Sequence, residues 1–348
     1  MGSAGTGSAM SVHDLDGSPA SMVRPNAEPE GRATKHEALR PSAPHAGGYQ
    51  KRRDRRRSLI GFLMAMPPIV VLLLFVGIPV ILAILFSLGY TGGLNQIAAE
   101  IGMDVHQGKP LTLDAYADII ADSRFIRDLL VTLVITVVST GVVVLITTSI
   151  AVYMRLSHSR LGSLLAGLGV IPLFIPVVIA SWANLIFYQS NGFLRSVFAQ
   201  FGLNAPIWGF TTTGVIITSI WVNLPFAMLM TVSGFQGVPD DLIDCARDSG
   251  ASSWRIVWEI LLPLAKTQIL IASTLTAIGI LGQFTVPYFT GPNAPTMLGV
   301  DIAKYYQSFN RPQQSVAIAV VMFIIGIGIA VTYVVTSVRG DDGSRKES

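Results

Sequence analysis

The chain has 348 residues, of which 51% are hydrophobic and only 13% are charged, and its mean hydropathy is +0.56. This composition excludes an ordinary soluble domain, in which roughly a quarter of the residues are charged, and it indicates an integral membrane protein. The net charge of +3 gives no broad basic face for nucleic acid, and the single cysteine excludes an intramolecular disulfide.

The first 50 residues are rich in Gly, Ser, Ala, Pro and His and show no apolar periodicity. We expect a disordered tail, because such a segment cannot bury enough surface to offset the entropy of ordering. The basic cluster KRRDRRR at 51–57 follows, and we interpret it as a flank that orients the protein in anionic lipid rather than as a nucleic-acid site. The next apolar segment is too long and too far from the N-terminus for a cleaved signal peptide.

Six apolar stretches reach the roughly 20 residues that a helix needs to cross a bilayer. Their continuous apolar character favours helices over barrel strands, which alternate between apolar and polar residues. The predicted spans are 59–88, 126–154, 163–188, 213–236, 267–290 and 314–338.

The distribution of Lys and Arg predicts the orientation. With the N-terminus inside, the basic cluster, the loops after the second and fourth spans and the C-terminal tail collect most of the positive charge on the cytoplasmic side. Both termini and the loop 237–265 are therefore predicted to be cytoplasmic.

The loop after the fourth span reads as a helix, a turn and a second helix. Pro239 suits a helix start, and Asp240 and Asp241 place negative charge at the positive end of the helix dipole. Gly250 suits the left-handed conformation that ends a helix, and Ser252 suits the cap of the next one.

Both predicted helices carry apolar surface. The first has a small patch formed by Leu242, Ile243 and Ala246. The second has a stripe at helical spacing formed by Trp254, Val257, Trp258 and Leu261. The chemistry of these surfaces leaves two alternatives open, which are a protein partner and a helix that lies on lipid.

The stretch from Pro239 to Pro263 resembles the cytoplasmic loop motif of ABC-importer permeases, which reads E-A-A, two residues, D-G-A and then an aromatic-rich stretch that ends in L-P. Asp244 replaces the glutamate of the pattern and Ser249 replaces its aspartate. The ionic contacts between this loop and its partner are therefore expected to be weaker or differently arranged. By resemblance, the loop helix inserts into a cleft on a partner ATPase. The residues predicted to couple to the ATPase are Asp244, Cys245, Ala246, Ser249, Gly250, Ala251, Trp254 and Pro263.

The resemblance extends over most of residues 58–338, and this part of the chain looks like the sugar-importing permeases related to the maltose and trehalose systems. It rests on LTLDAYADIIAD, NGFLRSVFAQFGL, WVNLPFAMLM and TGPNAPTMLGVDIAKYYQSF. It implies an all-α membrane protein with six transmembrane helices, the type I ABC importer (maltose-permease-like) fold, in the bacterial plasma membrane. The implied partners are a second homologous permease, two cytoplasmic ATPases and an extracellular solute-binding protein that delivers a sugar.

No nucleotide site of its own is predicted. GMDVHQGKP at 102–110 differs from a phosphate-binding loop, because five residues separate its glycines and Pro110 replaces the Ser or Thr. Hydrolase and metal motifs are absent from the sequence as well. We therefore expect a transport subunit that is not an enzyme and holds no cofactor, with ATP and Mg bound by the partner ATPases.

The predicted spans carry no charged residue in their central parts, which argues against a proton-coupled carrier, a voltage-gated channel and an acid-lined polyamine path. Neutral polar and aromatic side chains are candidates for a solute path, although an interfacial aromatic belt and hydrogen bonds between helices explain them equally well. The candidates are Asn184, Tyr188, Trp221, Asn223, Gln283 and Tyr288.

Prolines in three spans favour kinks or unwound turns, which either shape packing or let the helices rock between two states. They are Pro172, Pro176, Pro225 and Pro287. The loops 89–125 and 291–313 exceed the length of a turn, and we interpret them as a platform for the binding protein, with a short amphipathic helix at LTLDAYADII.

The predicted organisation is a tail with its basic flank (1–57), a first transmembrane helix with its outer loop (58–125), a permease core (126–338) that contains the loop 237–265, and a C-terminal tail (339–348). Two alternatives remain open. One is a secondary carrier or channel that works without ATPases. The other is an ABC importer for a polyamine or a glycerophosphate.

Overall fold

A computed structural model describes residues 62–101, 111–157 and 160–344. The predicted disordered tail, the basic cluster 51–57 and the loop 102–110 lie outside the described residues. The chain divides into two compact units, Met1–Ala65 and Met66–Ser348. Of the first unit, only the start of the first helix is described.

The described residues form helices and contain no strand. They also contain short 3-10 turns at Gly93–Asn95 and Ile171–Phe174. The helices are α1 (Phe62–Ser87), α2 (Gln96–Ile101), α3 (Asp114–Ala121), α4 (Ser123–Leu156), α5 (Arg160–Val170), α6 (Val177–Tyr188), α7 (Phe193–Gln200), α8 (Thr212–Gln236), α9 (Asp240–Asp248), α10 (Ser253–Leu281), α11 (Thr285–Thr290), α12 (Leu298–Gln307) and α13 (Pro312–Ser344).

Within the described residues, five helices are long and apolar enough to cross a membrane, namely α1, α4, α8, α10 and α13. A sixth candidate is a bent pair, Arg160–Phe174 and Val177–Gln200, whose two halves meet at 109°. Counted as one span, this pair brings the number to the predicted six. The mostly helical, membrane-spanning fold class is confirmed.

The third predicted span is not one continuous helix. Its break falls at Ile175, whose backbone is extended, and Pro176, which precedes the first residue of α6. A proline lacks the amide hydrogen of a helix interior and disfavours helical backbone in the residue before it, so the helix stops here. Pro225, in contrast, lies inside α8 without interrupting it.

The fifth span begins and ends earlier than the predicted 267–290. A π-helical turn at Val257–Leu261 joins the second loop helix directly to the membrane helix, so α10 runs unbroken from Ser253 past Pro263. Such a turn has wider hydrogen-bond spacing, which accommodates the proline ring. The helix ends at Leu281, and α11 is a separate short helix.

Helix α8 packs along both α4 and α10 in the centre of the bundle. The hydroxyl groups of Thr147 and Thr231 meet at 3.3 Å in the buried contact between α4 and α8. Gly234 brings α8 close to α10, because a Cβ at this position would lie 2.4 Å from Cβ of Gln268. We call the bundle end that carries α9 the loop end and the opposite one, which carries α3 and α12, the far end.

At the far end, α12 is tied to the start of α4. The carboxylate of Asp122 caps α4 by accepting from the amide of Arg124 at 2.9 Å, and it also accepts from the hydroxyl of Tyr305 at 2.7 Å. Burial alone raises the pKa of Asp122, but the hydrogen bonds from Tyr305 and Arg124, together with the charges of Arg124 and Arg311, hold that pKa below its ordinary value. An apolar cluster of α3, α12 and α13 residues surrounds this contact.

Candidate functional site: the loop hairpin and the polar bundle core

The loop hairpin consists of α9, a turn and the start of α10. Helix α9 begins at Asp240 directly after Pro239, as predicted. Gly250 takes φ +80°, and the amides of residues 249–251 bond back to carbonyls of the last turn of α9. The side chain of Ser252 accepts from the amide of Arg255 at 3.4 Å, which caps α10. The turn and both helix starts of the sequence analysis are therefore observed.

One face of α9 packs onto the bundle. The side chain of Ile243 is buried against Phe235 and Val238, and Ala246, one turn further on, packs against the same cluster. Leu242 lies about 100° round the helix from Ile243 and is 46% exposed. The predicted three-residue patch is thus wrong as a single surface, because two of its members face the bundle and one faces outward.

Two arginines fix α9 to the last turn of α4. The guanidinium of Arg155 lies 2.7 Å from the carboxylate of Asp240 and also donates to the carbonyl of Val238. Arg247, on α9, donates back to the carbonyl of Leu156 at 3.1 Å. From the sequence, Arg155 was one of the positive charges after the second span that indicated the orientation, and no contact with α9 was predicted for it. An arginine in the last turn of a long helix, beside free carbonyl groups, is the signal that was available.

The outward face of α9 and the turn that follows it carry half of the predicted coupling residues. Asp244, Cys245, Ser249 and Gly250 are exposed, whereas Ala246 and Ala251 are half-buried towards the bundle. The carboxylate of Asp244 lies 3.5 Å from Arg247, and its side chain remains 66% exposed. An anionic, exposed helix face on a firmly held helix is therefore available to a partner.

The predicted apolar stripe of α10 is split. Trp254 and Trp258 are exposed with ring centroids 5.5 Å apart, but Leu261 is completely buried in the bundle and Val257 is half-buried. The π-helical turn shifts the register between Val257 and Leu261, and this shift separates the stripe into two faces. Pro263, the last predicted coupling residue, is also exposed.

The polar core of the bundle joins two of the six candidate path residues. The hydroxyl of Ser219 donates to Oε1 of Gln283 at 2.8 Å, and the amide of Asn223 donates to the carbonyl of Ser219 at 2.8 Å. Ser219 is fully buried and was missed in the sequence analysis. Its position one turn before Asn223 in the same span was the available signal.

The other four candidates lie in separate contacts. Asn184 donates to the carbonyl of Ala180 in its own helix at 2.9 Å, and Trp221 is half-buried. The ring of Tyr188 packs on Trp208, and the ring of Tyr288 stacks on Phe284 at 5.0 Å. The structure therefore gives one polar cluster and two aromatic contacts rather than a single six-residue site.

Among the described residues, no group of three or more His, Cys, Asp or Glu side chains is placed to hold a metal ion.

Residues 49–339 match the family described as binding-protein-dependent transport system inner membrane component. The chain belongs to this family. It is a permease subunit of a binding-protein-dependent ABC importer and a multi-pass protein of the bacterial plasma membrane. This agrees with the resemblance that the loop motif indicated.

Curated relatives cover most of the chain. The trehalose/maltose transport system permease protein of Thermococcus litoralis is 25% identical over 288 residues, which are 80% of this chain and 93% of the relative. The sulfoquinovosyl glycerol transport system permease protein of Agrobacterium fabrum is 27% identical over 292 residues, 79% of this chain and 89% of the relative. The spermidine/putrescine transport system permease protein of Haemophilus influenzae is 26% identical over 230 residues, 66% of this chain and 77% of the relative.

The fold is similar to that of a solved transporter subunit. A chain of a bacterial alginate ABC transporter, in complex with an alginate pentasaccharide-bound periplasmic protein, superposes with a TM-score of 0.66 at 17% identity. The match covers 81% of this chain and 94% of that chain. It supports the type I importer fold.

Proposed function

We propose that this permease subunit imports a sugar or oligosaccharide and that partner ATPases drive it by docking on the loop 237–265. Both termini and this loop face the cytoplasm in the proposal, as the distribution of Lys and Arg favours. The partners are a second homologous permease, two cytoplasmic ATPases, which bind the ATP and Mg, and an extracellular solute-binding protein.

The observation that carries the proposal is the way in which α9 is held. Its inner face is buried, Arg155 and Arg247 fix it to the end of α4, and its outer face presents Asp244 and Cys245 to the surroundings. A helix that only lay on lipid would present its apolar side chains outward, whereas the outer face of α9 is largely polar. Motion applied to α9 is therefore transmitted to α4 through short polar contacts.

A neutral solute fits the polar core. Ser219, Asn223 and Gln283 supply hydroxyl and amide groups without charge, which suits the hydroxyl groups of a sugar. The similar permeases named for trehalose/maltose and sulfoquinovosyl glycerol support the same class. The spermidine/putrescine relative supports the alternative of a polyamine importer, for which these uncharged side chains offer no counter-ion.

The proposal is tested by the ATPase activity that co-purifies with the tagged full chain from its native membranes in mild detergent. The variant Asp244→Ala should lower the co-purifying activity several-fold, because it removes the exposed charge of the docking face. The matched control is Asp114→Ala, an exposed aspartate at the far end. Equal activity in all three proteins, or undiminished uptake by the lone subunit in ATP-free vesicles, would contradict the proposal.

A further inference from the structure

Two carboxyl groups are buried against each other at the far end of the bundle. Asp128 lies in the second turn of α4 and Asp301 in the first turn of α12, and their exposed fractions are 1% and 0%. The Asp128 carboxyl is close enough to raise the pKa of Asp301. Because a carboxylate only accepts hydrogen bonds, a hydrogen bond between the two groups needs a proton on one of them.

Other hydrogen bonds hold the chain just before and at the start of α12 on the same part of α4. The carboxyl of Asp128 accepts from the amide of Thr296 at 2.9 Å, and the hydroxyl of Thr132 accepts from the amide of Leu298 at 2.9 Å. The Thr132 hydroxyl in turn donates to the carbonyl of Asp128 at 2.6 Å. Two side chains of α4 thus bind two backbone amides in the segment that leads into α12.

Both carboxyl groups have oxygens that no other donor satisfies. Among the described residues, Oδ2 of Asp128 and both side-chain oxygens of Asp301 have no donor group within hydrogen-bond geometry. An unpaired buried charge is costly. A proton shared between one oxygen of each carboxyl removes one of the two buried charges and satisfies two of these three oxygens.

The charges around the pair are unevenly distributed. Burial, followed by the neighbouring Asp128, raises the pKa of Asp301 to about 8, although Lys304 on α12 and Arg124 on α4 act in the opposite direction. Tyr305, on α12, also lies within electrostatic reach of Asp301. Helix α13 contacts α12 through an uncharged group, the hydroxyl of Ser315, which donates to the carbonyl of Ile302.

The first turn of α12 also lies directly against the polar core. A Cβ at Gly299 would sit 2.5 Å from the carbonyl oxygen of Gln283 and 3.7 Å from Cα of Phe284. Only a glycine allows this approach. The position of α12 therefore sets the position of the Gln283 backbone. The side chain of Gln283 in turn accepts a hydrogen bond from Ser219.

We propose that Asp128 and Asp301 share one proton, and that this shared proton is a latch that holds α12 on α4 and thereby positions Gln283. Asp128 and Asp301 are then positioning residues. The latch stands on its own contacts, whereas the role of Gln283 in solute passage rests on the proposed function.

The latch makes the docking of α12 dependent on pH. In the docked state Asp301 keeps its proton up to a pH of about 8, but once released it has the ordinary aspartate pKa of 3.8. At pH values between 3.8 and about 8, Asp301 therefore takes up a proton when α12 docks on α4. The docking equilibrium is strongest below the lower value, weakens as the pH rises towards the upper value and is constant above it.

The test is hydrogen exchange of the full chain in lipid nanodiscs at about pH 6 and about pH 8.5, with rates corrected for the intrinsic pH dependence of exchange. Protection of the amides of residues 296–301 should fall at least about tenfold between the two conditions in the wild type. Asp301→Asn should keep its protection within about twofold, because an amide donates to Asp128 without a titrating proton. Asp128→Asn should do the same from the other side.

The control is Asp114→Asn, an exposed aspartate on α3, which should retain the wild-type pH dependence. Peptides from α8 report whether each variant keeps its fold. Three results would each overturn the latch. The first is protection in the wild type that does not change with pH, and the second is an undiminished pH effect in both asparagine variants. The third is a loss of protection confined to residues 296–301 in both variants at about pH 6. A latch that responds as expected while solute uptake is insensitive to it would instead count against the proposed role of Gln283.

Discussion

Replacing Arg155 by Met should loosen α9 from the bundle while leaving the membrane helices in place. The substitution keeps much of the apolar stem but removes the guanidinium, which bonds the carbonyl of Val238 and pairs with Asp240. The hydrogen bond is the larger loss, because the Arg155 side chain is only 15% exposed, and a charged group bonded in such a place contributes about 1.5–3 kcal/mol. The pair with Asp240 adds little, since the Asp240 side chain is 79% exposed.

The loss of about 2 kcal/mol corresponds to a roughly 30-fold shift of α9 towards its released state. Cys245 provides the assay, because it is the single cysteine of the chain and is exposed on α9. A nitroxide attached to Cys245 should show a more mobile electron paramagnetic resonance spectrum in Arg155→Met than in the wild type.

Arg255→Met is the matched control for this measurement. It removes an exposed pair with Glu259 within α10, at 2.8 Å, where both side chains are more than half exposed. Its spectrum should stay close to that of the wild type. Unchanged mobility in Arg155→Met, or equal mobility in both variants, would refute the argument that Arg155 anchors α9.

Three further predictions concern the bundle and its far end. Gly234→Ala should lower the stability by about 1–3 kcal/mol in thermal unfolding, because its Cβ would overlap α10, whereas Gly141→Ala, which faces open space, should not destabilise the protein. Gln283→Leu should reduce solute uptake more than the double variant with Ser219→Ala, because the single change leaves the buried serine hydroxyl without its acceptor. Tyr305→Phe should destabilise the protein at pH values above about 4, because the hydrogen bond from Tyr305 lowers the pKa of the Asp122 carboxyl that caps α4. The difference in stability between the variant and the wild type should become smaller as the pH falls below that value.

The sequence was sufficient for the number of spans and for the helix starts and the turn of the hairpin, because these depend on local patterns. Apolar runs of sufficient length identify membrane helices, and the short-range chemistry of Pro239, Gly250 and Ser252 determines where the loop helices begin and end. Pro176 predicted a kink or an unwound turn in the third span. Whether a proline bends a helix, breaks it or lies in it without an interruption depends on tertiary packing. Pro225 and Pro263 lie in unbroken helices.

The contacts between distant segments could not be predicted. Asp128 and Thr296 are 168 positions apart, and nothing local in either segment indicates that they meet. The same holds for the bonds of Arg155 to the loop and of Ser219 to Gln283. In a single sequence, a polar residue near a helix end is compatible with lipid, solvent or a buried partner. Only the packing of the helices decides between these environments.

The most direct test of the central claim is cross-linking from Cys245 in the assembled importer. A short photoactivatable cross-linker attached to this native thiol should join the chain to a subunit that carries a nucleotide-binding P-loop, and it should do so from the cytoplasmic face. Cross-links only to lipid, or labelling of Cys245 by a membrane-impermeant maleimide on intact cells, would contradict the account.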